Sequence, residues 1–208
     1  MAVATVVRSR GRRISLWVAF ALVLGATSAH GQVVHHNLAE LTTLAPDIIV
    51  GRVTSVSDGT TAANVPFTEV SVALHRTVKG KLTGTHTFRQ FGLLQPRPAA
   101  DGRTNLMLTP AGWPSYSVDE EVMLFLYHPG RATGLRTTVG LDQGKFTIAD
   151  GKIVNANDNA GLMDRVSLPA TRAARGRAVL ADRGAADAAT FIDLVATAVR
   201  EKWFDAAR

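Results

Sequence analysis

The chain has 208 residues, 23 Lys plus Arg against 17 Asp plus Glu, a formal charge of +6 and no cysteine. The missing cysteine excludes a disulfide framework, a thiolate nucleophile, a Cys-based zinc site and a lipid-bearing Cys behind a leader, so stability rests on packing alone. Four of the cations, Arg8, Arg10, Arg12 and Arg13, lie at the amino terminus, and without them the charge falls to +2. That balance gives no basic stripe to neutralise phosphates, which argues against nucleic acid as a partner.

Those arginines precede an apolar run from Ile14 to Leu24 and then small residues from Gly25 to Gly31. A charged start, a short apolar segment and a small-residue cleavage zone are the parts of a secretory signal, whereas a spanning helix needs about 20 apolar residues. Residues 1–31 are therefore expected to be a signal peptide cut near Gly31, placing the mature protein in the periplasm or outside the cell. About 177 residues remain, within the range of one domain.

His35 to Leu44 reads as a short helix or turn capped around Asn37, with Leu38, Leu41 and Leu44 on one side and an end near Pro46. Asp47 to Val56 is rich in β-branched residues and forms the first strand, with Gly51 marking a bulge or sharp bend. A loop, Ser57 to Pro66, leads to a second strand, Thr68 to Val78, in which Val70, Val72 and Leu74 alternate with Glu69, Ser71 and Ala73. Lys79-Gly80-Lys81 and Gly84 make a turn before a third strand, Thr85 to Phe91. Gly92 to Pro114, with four prolines, is a long irregular segment and a candidate lid or covered connection.

Glu121 to Tyr127 is a nearly continuous apolar run and reads as a strand buried on both faces. Gly134 to Leu141 and Gln143 to Ala149 are further strand candidates. Asp150-Gly151 then separates Phe146–Ala149 from Lys152–Val154, and an Asp-Gly pair between apolar runs predicts a two-residue type I′ hairpin. Thr171 to Thr190 is dominated by Ala, Arg, Gly and Asp and reads as a mobile linker. Phe191, Leu194, Val195, Ala198 and Val199 recur at helical spacing between about Ala186 and Trp203, the pattern of an amphipathic helix packed on the sheet. The organisation expected is a signal at 1–31, a β domain at 32–161, an Ala/Arg/Gly-rich linker at 162–189 and a helical tail at 190–208.

Short strands with no helices between them imply an antiparallel sheet. The bend at Gly51 and the long loop after the third strand suit a mainly β, small OB-like (Greek-key) barrel with the C-terminal amphipathic helix on one side, the β-sandwich being the alternative. The segments at Asp47–Val56, Thr68–Val72, Thr77–Gly80, Asp119–Leu126 and Val139–Phe146 resemble a group of exported bacterial proteins of unassigned function. A strand of the I-I-V-G-R-V kind followed by one ending in V-K-G is similar to the netrin-like module of tissue inhibitors of metalloproteinases. That second likeness implies only the barrel, because those inhibitors use an amino-terminal cysteine that this chain does not have.

Chemistry-bearing residues are scattered. His35-His36 at the mature start read as solvated rather than as metal ligands, and His75, His86 and His128 have no zincin spacing. Asn155, Asn157, Asn159 and Gly161 imitate a calcium loop in spacing but lack its charge and its bidentate Glu, so an Asn-rich turn is expected. Asp119-Glu120-Glu121 reads as a solvated turn at a strand entry. Gln143 and Lys145, beside Phe146 at a strand junction, are the first place to look for binding, with Arg89, Phe91, Trp113 and Tyr116 as further anchors in or beside the long segment. No cofactor is implied. The function expected is that of an exported, non-catalytic binding domain for a protein or an envelope polymer, without a stable membrane anchor. The alternative is a metal-dependent hydrolase or other envelope enzyme using His86, His128 or the acidic cluster.

Overall fold

A computed structural model describes residues 34–98, 102–105, 107–168 and 183–204. The expected signal segment and half of the expected linker, 169–182, lie outside the described residues. The described residues form one compact unit.

Helix α1 (Leu38–Leu44) starts where the sequence places it. Asn37 accepts from the Glu40 amide while the Glu40 carboxylate accepts from the Asn37 amide, a reciprocal box that satisfies two otherwise orphaned donors. Leu38 and Leu41 are fully buried, and the chain turns through Ala45 into β1 (Asp47–Thr60).

β1 pairs with β2 (Pro66–Lys79) along almost its whole length, from Ile48↔Lys79 to Thr60↔Pro66. The expected loop from Ser57 thus shrinks to a short turn: polar Ser57, Asp58 and Gly59 continue the ladder, and the turn closes through Thr61 N–H to the Val65 carbonyl. Gly51 lies at one of the register shifts of β1. A Cβ there would sit 2.2 Å from the Ala73 carbonyl oxygen, so only glycine lets the two backbones approach this closely.

β3 (Thr85–Phe91) pairs with β2, and β6 (Glu121–Leu126) with the other side of β1 from Asp47↔Leu126 to Arg52↔Glu121. Between them the long segment holds a small pair, β4 (Arg97–Pro98) with β5 (Thr104–Asn105), and a bridge from Leu93 to Leu108. β7 (Lys145–Ala149), β8 (Lys152–Asn155) and β9 (Ala186–Asp187) complete one antiparallel sheet of order β3-β2-β1-β6-β7-β8-β9. The β7–β8 turn has Asp150 at φ 51° and Gly151 at φ 71°, as a type I′ hairpin requires.

Helix α2 (Ala188–Arg200) begins at Asp187, whose side chain accepts from the Thr190 amide. It lays Phe191, Leu194 and Val195 onto one face of the sheet with Ile48, Met123, Phe125, Phe146 and Ile153. The opposite face buries Ile49, Val53, Val70, Val72, Phe88, Tyr116, Val122 and Leu124. β6 is therefore buried on both sides, as its unbroken apolar run predicts. Trp203 packs against the helix-side core, and among the described residues no helix is long and apolar enough to cross a membrane.

Three expectations need correction. The sheet is not a closed barrel: β3 and β9 stand at its two ends, and β9, only two residues long, offers no ladder with which to close it. Gly134 to Leu141 is not a strand. Beside β6 it forms a single isolated bridge, Leu126 to Thr138, with Tyr127 N–H donating to the Thr137 carbonyl and Val139 N–H to the Phe125 carbonyl, and not a continuous ladder among the described residues. Gly140 and Leu141, at φ 63° and 59°, then turn it into a 3-10 helix (Leu141–Gly144). Finally, the 162–189 segment is not linker throughout, since Leu162 is buried in the core and Ala186–Asp187 forms β9.

Candidate functional site

The long segment returns to the sheet at Trp113, and a cleft of about 280 Å³ opens there. It is walled by Trp113, Pro114 and Ser115, by Lys145 and Thr147 of β7, by Val154, Asn155 and Ala156 at the end of β8, and by Asp142 of the 3-10 helix. The pieces are held together locally. The Asp142 amide donates to the Gly112 carbonyl at 3.2 Å, tying the 3-10 helix to the wall. Gln90, buried in β3, donates to the Pro114 carbonyl at 2.7 Å. Trp113 rests against Phe91 with ring centroids 6.1 Å apart.

Lys145 is the pin of the site. Its ammonium donates to the Ser115 carbonyl at 2.5 Å and to Glu120 Oε1 at 2.6 Å, and lies 5.0 Å from the centroid of the Tyr116 ring. Glu120 Oε1 also accepts from the Thr147 hydroxyl at 2.9 Å. With side-chain exposures of 12% and 15%, Lys145 and Glu120 form a largely buried ion pair whose hydrogen bonds offset part of its desolvation. Glu120 is thus not the solvated turn residue that its acidic neighbours suggest. Asp119, at φ 69°, is exposed and redirects the chain so that Glu120 turns inward, while Glu121 pairs with Arg52 at 2.7 Å.

Asp142 has no such partner. Its carboxyl meets nearby backbone amides but no side chain among the described residues, and burial holds it above the ordinary carboxylate value. Leu141, immediately before it, is a non-glycine residue in the left-handed region, fixed by the Thr138 hydroxyl donating to its carbonyl and by its own amide donating to the Thr138 carbonyl. Tyr116, beside the cleft, has a buried hydroxyl without a partner among the described residues; burial first, and the Glu120 charge second, push its ionisation far upward.

Of the residues singled out from the sequence, the structure brings together Phe91, Trp113, Tyr116 and Lys145. Arg89 is committed elsewhere, to Glu69 at 2.7 Å and to the Phe67 ring at 4.2 Å. Gln143 holds the start of the domain: its side chain accepts from the His36 amide and donates to the Val34 carbonyl, both at 2.9 Å. Glu120 was read as part of a solvated acidic turn, and Asp142, Ser115 and Thr147 were not singled out for binding; Gly140 ahead of Leu-Asp was the available signal, a turn that sets an acid at a strand end.

A second buried cluster is also new. Arg136, 5% exposed, donates to Asp47, to the Tyr127 carbonyl and to His86 Nε2, the last at 3.2 Å. Burial, then the Arg136 charge, lowers the His86 pKa, with Asp47 opposing. The Asn155–Asn159 loop satisfies itself: Asn155 Oδ1 accepts the amides of Asn157 and Asn159, and Asn159 donates to the Ile153 and Gly184 carbonyls. Among the described residues no three potential metal ligands converge. Compared with models of known families, with curated proteins and with solved structures, the chain shows no match.

Proposed function

We propose that the protein is an exported, non-catalytic binding domain that receives its ligand, a group borne by a protein or an envelope polymer, in the Trp113–Lys145 cleft. The observation that carries this reading is the convergence of an aromatic wall from the long segment with fixed polar groups from the sheet in one concave site, the usual composition of a binding pocket. Lys145 and Glu120 neutralise each other and are immobilised by further hydrogen bonds, which suits a rigid recognition surface better than proton transfer. The strand order β3-β2-β1-β6, the register shifts in β1 and the buried cluster shared by apolar residues of β2, β3 and β6 support reading the fold as an open relative of the OB-like Greek-key barrel. Export is supported by the charged and apolar leader.

The test is a ligand-observed NMR screen of the full chain against a mixed library of glycosides, short peptides, amines and carboxylates. Binders are expected to lose their saturation-transfer signal with Trp113→Ala. Binders indifferent to that substitution, or an empty screen, would refute the assignment of the cleft.

A further inference from the structure

The lining of the cleft contains two ionisable side chains, Lys145 and Asp142. Lys145 is cancelled by Glu120 at 2.6 Å and has a second donor taken by the Ser115 carbonyl. Asp142, with no side-chain partner among the described residues, therefore contributes the uncompensated charge, in a cleft that the Trp113 indole also lines. An anion entering here would meet the Asp142 carboxylate and find the lysine already engaged. A cation would meet a carboxylate and an aromatic face together, two groups that attract ammonium and guanidinium ions most strongly where water is partly excluded.

We propose that the cleft is a receptor for a single organic cation, an alkylammonium or alkylguanidinium group, held between the Trp113 indole and the Asp142 carboxylate with its methylene stem along Pro114 and Val154. This rests on the binding reading given above and specifies its ligand. Size agrees: about 280 Å³ is at the lower limit of pockets for drug-sized ligands, roughly 300 Å³, and suits one charged group with its stem. The positioning is built in. Leu141 is held in the left-handed region directly before Asp142, a conformation that persists only where the surroundings fix it. The raised Asp142 pKa follows from burial without a cationic partner among the described residues, the condition a bound cation would relieve. Apolar walls beside the charge match the way lysine and arginine stems lie along apolar surface.

The experiment titrates the full chain with four probes of similar size: butylammonium, butylguanidinium, methyl β-glucoside and butyrate. The indole ¹H–¹⁵N signal of Trp113, assigned with Trp113→Phe, is followed in parallel with calorimetry. Both cations are expected to shift that signal and to bind at least tenfold more tightly than the glucoside or butyrate, with binding that weakens as salt is raised. Asp142→Asn should lose at least tenfold for the cations, Asp142→Glu should retain most of the affinity, and thermal melts should show both variants folded. Preference for the glucoside or butyrate, or cation binding unchanged in Asp142→Asn, would overturn the cation assignment and leave a binding cleft of another specificity. Failure of all four probes would overturn it as well, and the library screen then decides the binding reading independently.

Discussion

Replacing Arg136 with methionine tests whether the buried Asp47–Arg136 pair holds the two sides of the sheet together. The arginine side chain is 4% exposed and that of Asp47 17%, so the substitution keeps most of the packed volume while leaving a largely buried carboxylate without its cation. It also removes the donors to the Tyr127 carbonyl and to His86. Breaking one partner of a buried pair costs about 3–5 kcal/mol. Because Asp47 keeps some access to water, the lower end applies, about 3 kcal/mol, or a fall in Tm of roughly 6–12 °C for a domain of this size. Urea unfolding of wild type, Arg136→Met, Asp47→Asn and the double variant would measure it. The double variant should regain at least half of the loss, since its carboxamide no longer buries a charge. If Arg136→Met costs less than about 1 kcal/mol, or if the double variant is no better than the single, the uncompensated charge is not the source of the penalty and the reasoning fails.

Gly51→Ala would force a Cβ to within 2.2 Å of the Ala73 carbonyl oxygen, and a loss of about 1–3 kcal/mol in denaturant unfolding is expected; a neutral result would contradict the close backbone approach at that bulge. Phe146, fully buried, contacts Phe125 at 5.5 Å and Phe191 at 5.1 Å between ring centroids, so Phe146→Ala should cost about 3–5 kcal/mol and loosen α2, which amide exchange along α2 would show. His86 has a folded pKa below its ordinary 6.5, so its contribution is fully present above about pH 6.5 and is lost as pH falls toward the folded value. The urea midpoint of wild type should therefore drop more between pH 7.5 and 5.5 than that of His86→Gln; equal drops would show that neither burial nor Arg136 disfavours the charged imidazole.

Local patterning made much of the framework legible. Asn37 with Glu40 announces a capped helix, Asp150-Gly151 needs two left-handed residues and so predicts its hairpin, and the 3.6-residue spacing from Phe191 to Val199 fixes the buried side of α2. These signals lie within a few residues of one another, and neighbours in the chain suffice to satisfy them. The extension of β1 and β2 beyond Val56 was not legible in the same way, because Ser57, Asp58 and Gly59 are turn-forming residues held in a ladder by pairing with Glu69, Thr68 and Phe67, and by Asp58 accepting from the Leu94 amide.

The candidate site divides along the same line. Trp113, Tyr116 and Lys145 could be singled out by residue type, as an aromatic pair near a proline-rich segment and a cation at a strand junction. Their partners could not. Glu120 and Lys145 are 25 residues apart and Asp47 and Arg136 are 89, and nothing in the local sequence of either member names the other. Period and local hydrogen bonding were enough to place α1, α2, the β7–β8 hairpin and the apolar faces, but not to tell Gly134–Leu141 from a strand or to extend β1 past Val56. Long-range contacts alone fix that the sheet stays open, which charges are buried against each other, and that Asp142 has no side-chain counterion among the described residues in the cleft that Trp113 lines. Burial and pairing are properties of residues brought together from distant parts of the chain.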